Sequence, residues 1–119
     1  MKVVITSQGR ELQSPLDARF GRAKYFILLD TEKGSFFPVD NAVNLNAAQG
    51  AGIQAAKRVM DLGAEALITG HVGPKAFAAL QAAKITIYTG AAETVTDAIK
   101  QFKGGKLGAA VSADVEGHW

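Results

Sequence analysis

Apolar residues in this chain recur in two rhythms: short β-branched runs in the first third, then such runs alternating with helical spacing. Lys2–Ser7 (KVVITS) is a buried-strand pattern. Residues 8–17 turn polar, contain Gly9 and Pro15, and read as a loop. Tyr25–Asp30 (YFILLD) predicts a second strand, residues 31–34 a turn, and residues 35–40 (SFFPVD) a third strand closing a hairpin. Pro38 cannot donate to a ladder, which places this third strand at a sheet edge.

An asparagine-rich loop, residues 41–49, leads into a helix over residues 50–62, with Ile53, Ala56 and Met60 inward and Lys57, Arg58 and Asp61 toward water. Gly63 stops it. Residues 65–70 (EALITG) predict a fourth strand. Residues 74–84 form a helix that starts on Pro74 at its favoured first position and turns Phe77 and Leu80 inward. Residues 85–90 (ITIYTG) are a fifth strand. Residues 94–103 are a third helix, with Val95, Ala98, Ile99 and Phe102 on one face and Thr94 with Asp97 as a capping box. Gly104 and Gly105 end it. Residues 1–108 thus read as one domain and residues 109–119 as a tail.

The order βββαβαβα implies an α/β fold on a five-stranded mixed sheet of order 3-2-1-4-5, an antiparallel meander continued by right-handed parallel crossovers. Ligands of such sheets sit beyond the C-terminal strand ends. Those ends are Ser7, Gln8 and Gly9; Thr69, Gly70 and His71; Thr89, Gly90 and Ala91. The second strand runs the other way, so its entry, Phe20 to Ala23, falls on the same rim.

Composition narrows the chemistry. With 119 residues, 48% hydrophobic and 20% charged, the chain is neither disordered nor too small for its own core. Apolar runs such as Phe26 to Leu29 are too short to cross a membrane, and the opening MKVVITS is too short for a leader's apolar region. Cytoplasmic residence is the expectation. The net charge of +2 makes no nucleic-acid stripe. The absence of cysteine removes disulfides, thiolate nucleophiles and thiolate-held metals.

Several activities also drop out. The strands lack the carboxylates a two-metal nuclease would need. There is no GxxxxGK[ST] phosphate loop, no GxSxG and no histidine pair at metal spacing. Gly50 to Ala55 matches a dinucleotide fingerprint, but it follows a loop rather than a strand, which argues against that function.

What the rim offers is a set of donors. Helix starts at Gly50 and Pro74 present backbone N–H groups and positive dipole ends. Gly50, Gly52, Gly70, Gly73 and Gly90 allow close approach to the backbone. Arg22, with Arg19 and Lys24, brings positive charge; Asn44, Asn46 and Gln49 bring amides. This equipment suits an anion whose surface is all acceptors. His71 is the one evident general base. Each residue also has a plainer explanation: His71 bonding a nearby carbonyl, Gly73 and Pro74 marking a helix start, Arg22 pairing with Asp17 or Asp30. His118 reads as tail rather than ligand.

The motifs FGRAKYF (20–26), Asn44, GAG (50–52), ITGHVGP (68–74) and ITIY (85–88) follow one another as in a known family, as does the ending from Glu93 to Leu107. Over residues 1–108 the chain resembles the dinitrogenase iron–molybdenum cofactor family, small accessory domains related to NifX and the C-terminal part of NifB. The resemblance implies a three-layer ribonuclease-H-like fold. It also implies carriage of preformed metal–sulfide clusters rather than catalysis. A cysteine-free chain looks most like members whose ligand is an anionic molybdenum–copper sulfide cluster, held non-covalently; a related iron–molybdenum–sulfide precursor is the neighbouring possibility.

On this reading Gly21, Arg22, Asn44, Gly50, Gly52, Gly70, His71, Gly73, Lys75, Thr89 and Gly90 form the cradle. His71 donates to a sulfide or acts as a switchable metal ligand. Members often end in a histidine-rich or cysteine-bearing tail, and here only His118 stands there, which speaks against ligation through the tail. The main alternative is an interaction module that binds a partner such as a P-loop ATPase. An enzyme acting on a phosphorylated metabolite ranks third. Neither nucleic acid nor membrane is an expected partner.

Overall fold

The run KVVITS becomes the central strand because it is apolar on both faces: from Val3 to Ser7 every residue is buried. The computed structural model describes residues 1–41, 51–91 and 93–110. Its strands are β1 (Lys2–Ser7), β2 (Tyr25–Asp30), β3 (Phe36–Asp40), β4 (Ala66–Ile68) and β5 (Thr86–Tyr88). Its helices are α1 (Ala51–Asp61), α2 (Pro74–Ala82) and α3 (Val95–Lys103). The strands form one sheet of order β3-β2-β1-β4-β5, with β2 antiparallel to β1 and β3, and β1, β4 and β5 parallel.

Register fixes which side chains share a face. Leu28, Val4, Leu67 and Ile87 align across the sheet toward α1 and α2, joined by Phe26, Ala55, Ala56, Val59, Phe77 and Leu80. Ile27, Ile5 and Ile68 align on the other face, under Leu16 and the α3 residues Val95 and Ala98. Helices therefore cover both faces of one sheet, the three-layer arrangement that the family resemblance implies.

One expectation about α1 is overturned. Ile53 is 44% exposed, and the inward stripe is Ala51, Ala55, Ala56 and Val59. At about 100° per residue, Ile53 lies well outside that stripe. Small residues face inward because α1 lies close against α2: a Cβ on Gly52 would stand 3.3 Å from the Ala76 Cβ. Met60, expected inward, is only partly buried against the core.

The ends of α2 and α3 form as predicted. Gly73 caps α2 in an extended conformation ahead of Pro74. Thr94 and Asp97 make the reciprocal capping box of α3, and the Thr94 bonds hold the Asp97 carboxyl below its ordinary range. At the β2–β3 turn the Lys33 and Glu32 amides, Lys33 foremost, do the same for Asp30.

Both sheet edges are blunted. Asp30 N donates to Ser35 O at 2.9 Å, so by alternation Ile27 and Pro38 form a non-hydrogen-bonded pair and the Pro38 nitrogen faces outward. The outer row of β3 therefore lacks a donor at its centre. At the opposite edge, Ala109 bridges Tyr88 and Ala110 N donates to Ile87 O at 2.7 Å.

Pro38→Val restores the missing outward donor beside Phe37, which is 66% exposed. Sedimentation equilibrium should find a higher average mass for this variant than for the parent at equal concentration. Equal masses would show that Pro38 does not guard the edge.

Candidate functional site

The loop after β1 does not leave the sheet; residues 16–24 are strapped across the C-terminal ends of β1 and β4. Ser7 bridges Leu16, and Asp17 N donates to Thr6 O at 3.0 Å. The Thr6 hydroxyl lies 2.6 Å from Asp17 O and 2.8 Å from the Thr69 hydroxyl, and both threonines are fully buried. A carbonyl only accepts, so the single Thr6 proton goes to Asp17 and Thr69 donates to Thr6. On the β4 side, His71 N donates to Ala18 O at 2.7 Å and Phe20 N to His71 O at 3.3 Å.

Gly70 makes this crossing possible. A Cβ there would lie 2.7 Å from the Ala18 Cα and 2.8 Å from its carbonyl oxygen. Backbone cannot give way as a flexible side-chain tip can. Beyond Ala18 the strap tightens into a 3-10 turn, Phe20–Arg22, with Phe20 and Gly21 buried. The Phe20 ring stacks on Phe26, centroids 6.0 Å apart. The far end is tied by buried Asn41, whose Nδ2 donates to Ala23 O at 2.7 Å and whose N donates to Lys24 O at 2.8 Å.

The crevice at the strand ends, where a ligand of this topology would enter, is thus filled by the chain itself. Above it lies an open groove of about 490 Å³, lined by Gln8, Asp17, Ala18, Arg19, Arg22, Lys24 and His71. Among the described residues its charged lining is three cations, Arg19, Arg22 and Lys24, against the one carboxylate of Asp17. Arg10 adds charge at the same end of the sheet: its guanidinium carbon stands 5.7 Å from the ring centre of Tyr25, the residue paired with Ser7.

Of the residues expected from sequence, Arg22 and His71 line the groove, joined by Arg19 and Lys24. Gly21 is inside the turn that carries Arg22, and Gly70 lies against the strap under the groove. Gly52, Gly73, Lys75, Thr89 and Gly90 do not line it. Gly52 serves the α1–α2 contact, Gly73 caps α2, and Lys75 is exposed on the first turn of α2. Gly90 adopts φ +80° and donates from its N to Gly70 O at 3.0 Å. Asn44 and Gly50 lie outside the described residues, as does His118.

Asp17 was legible as the end of a polar loop and as a candidate partner of Arg22. Its partner is Arg19, with Nε 3.8 Å from Asp17 Oδ1, and the Arg19 amide donates to the same oxygen at 3.1 Å. Among the described residues no group of three or more histidine or acidic side chains could hold a metal ion. The groove has the chemistry of an anion site: positive charge, donors, and a solvent-exposed imidazole.

Substituting alanine at Gly70 should lower unfolding stability by about 1–3 kcal/mol in urea titration, because the strap backbone must shift. An unchanged midpoint would mean the strap is not pinned there.

Comparison with known proteins places this arrangement. The structure superposes on the apo form of the orange protein from Desulfovibrio gigas with TM-score 0.93 and 37% identity, covering 96% of each chain. It superposes on the NMR structure of the Thermotoga protein TM1290 with TM-score 0.84 and 37% identity, covering 98% of each chain. An uncharacterized protein of Methanocaldococcus jannaschii, MJ0580, is 29% identical over 94 residues, 77% of this chain and 80% of that one. The family model described as dinitrogenase iron-molybdenum cofactor matches residues 1–105, and the chain belongs to that family.

Proposed function

We propose that this protein is a non-catalytic carrier or store for an anionic molybdenum-containing metal–sulfide cluster, held non-covalently in the groove over the strap. The observation that carries this reading is the groove's lining: three cations and an exposed histidine on a rigid crossing, in a chain without cysteine. Family membership supports a cluster related to the iron–molybdenum cofactor. The likeness to the orange protein supports a carrier and, through the resemblance of this cysteine-free chain to the members that hold one, a molybdenum–copper sulfide as cargo.

The chemistry follows from what such a cargo needs. Sulfide already saturates its metals, so no protein thiolate is required. It lacks charge balance and donors at its sulfurs. Arg19, Arg22 and Lys24 supply both, and His71 contributes an imidazole donor or a replaceable ligand. Charge-assisted hydrogen bonds contribute about 1.5–3 kcal/mol each, so a few together retain a trianion and still let it go.

No helix among the described residues is long and apolar enough to cross a membrane. We infer that the protein works in the cytoplasm, where thiomolybdate-type clusters would be handed on rather than consumed.

Metal-free protein mixed anaerobically with tetrathiomolybdate and copper should carry both metals through gel filtration. Arg22→Ala and His71→Ala should each retain several-fold less metal while keeping the parent's circular dichroism. Full retention in both variants would remove the groove from the account.

A further inference from the structure

Among the described residues of the groove, Asp17 is the one that works against an anion. It is 6% exposed, it lines the groove, and it sits among Arg19, Arg22 and Lys24. It cannot swing away. Its amide is bonded to Thr6 O and its carbonyl to the Thr6 hydroxyl, so both sides of the residue are anchored to β1. The carboxylate is fixed in the floor, accepting from the Arg19 amide at 3.1 Å and standing 3.8 Å from the Arg19 guanidinium.

A site built only for tight capture would omit this charge. A neutral acceptor would hold the Arg19 amide as well, since that bond needs an oxygen and not a charge. We propose that Asp17 sets the affinity of the groove below its maximum, by neutralising part of Arg19 and repelling the bound anion, so that cargo is released to an acceptor. The inference rests on the groove being the anion site.

The two charges are coupled through contact, which gives the proposal a distinctive signature. While Asp17 is paired, Arg19 contributes less than a full charge to the ligand. Removing Arg19 must therefore cost less while Asp17 is charged than it does once Asp17 is neutral and the guanidinium is wholly available to the ligand.

The test is anaerobic equilibrium dialysis of the full chain against tetrathiomolybdate, at low and high salt, with Asp17→Asn, Arg19→Gln, Arg22→Gln and the Asp17→Asn/Arg19→Gln double variant. The asparagine keeps the oxygen that the Arg19 amide bonds. Asp17→Asn should bind about tenfold more tightly than the parent at low salt, the gain shrinking as salt screens it. Arg19→Gln should cost several-fold less affinity in the parent than in the Asp17→Asn background, and equal costs in the two backgrounds would show that Asp17 does not weaken Arg19. Weaker binding by Asp17→Asn at every salt concentration would overturn the proposal and make Asp17 a holder of Arg19. If Asp17→Asn does not fold, Asp17→Ser, which also keeps an oxygen for the Arg19 amide, takes its place, and binding no tighter than the parent's at low salt overturns the proposal. Tetrathiomolybdate binding that is indifferent to Arg22→Gln and Asp17→Asn alike would overturn the groove assignment together with this inference.

Discussion

Ala18 rests against Gly70 with no room for a methyl group between them, and the rest of the site depends on that contact. It brings the loop after β1 down onto the end of β4. The Thr6 hydroxyl and the His71 amide then hold it there through Asp17 O and Ala18 O. The next residues, Phe20–Arg22, have to turn sharply because Phe20 is drawn into the core against Phe26. Arg19 precedes that turn and Arg22 ends it. Their placement follows from buried packing and backbone bonds, with no need for a bound ligand to organise them. Such preorganisation lowers the ordering cost of binding.

The same strap changes what kind of ligand the fold can hold. In open α/β sheets a ligand commonly enters the crevice between diverging strands and meets backbone donors at helix starts. Here the crevice between β1 and β4 is filled by the chain, and a ligand meets side chains displayed above it. Cations on a partly open surface bind by charge more than by shape, which suits a cluster that must arrive and leave whole. A fixed carboxylate among those cations fits the same logic.

Much of the fold was legible in the sequence. Pro38 marked an edge strand, KVVITS a central one, and Thr94 with Asp97 a helix start, because each carries its own local constraint. Ile53 was misread because periodicity identifies an apolar stripe but not how near the facing helix comes; the Gly52–Ala76 contact selects alanines for the inward face. Strands β4 and β5 came out shorter than their apolar patterns: beyond them Thr69 N still bonds Tyr88 O and Gly90 N bonds Gly70 O, but at His71 the chain leaves to bond the strap, a long-range event with no local signature.

The site was partly legible. Arg22 and His71 announced themselves as polar residues in small-residue loops, at strand ends whose convergence the element order implied. The glycines were visible too, but their reasons were not: Gly70 and Gly52 answer to Ala18 and Ala76. Asp17 looked like an ordinary loop carboxylate, since nothing in the sequence says that Thr6 will fasten it into the floor.

The central claim is that the strap-borne groove, and not a helix start, receives the anion. The most direct measurement is an amide-resolved NMR titration of the isotope-labelled protein with tetrathiomolybdate and copper under anaerobic conditions. The account predicts that the largest shifts fall on residues 17–24 and on Gly70 and His71. Shifts concentrated instead at the first turn of α2 around Lys75, with residues 17–24 unmoved, would contradict it.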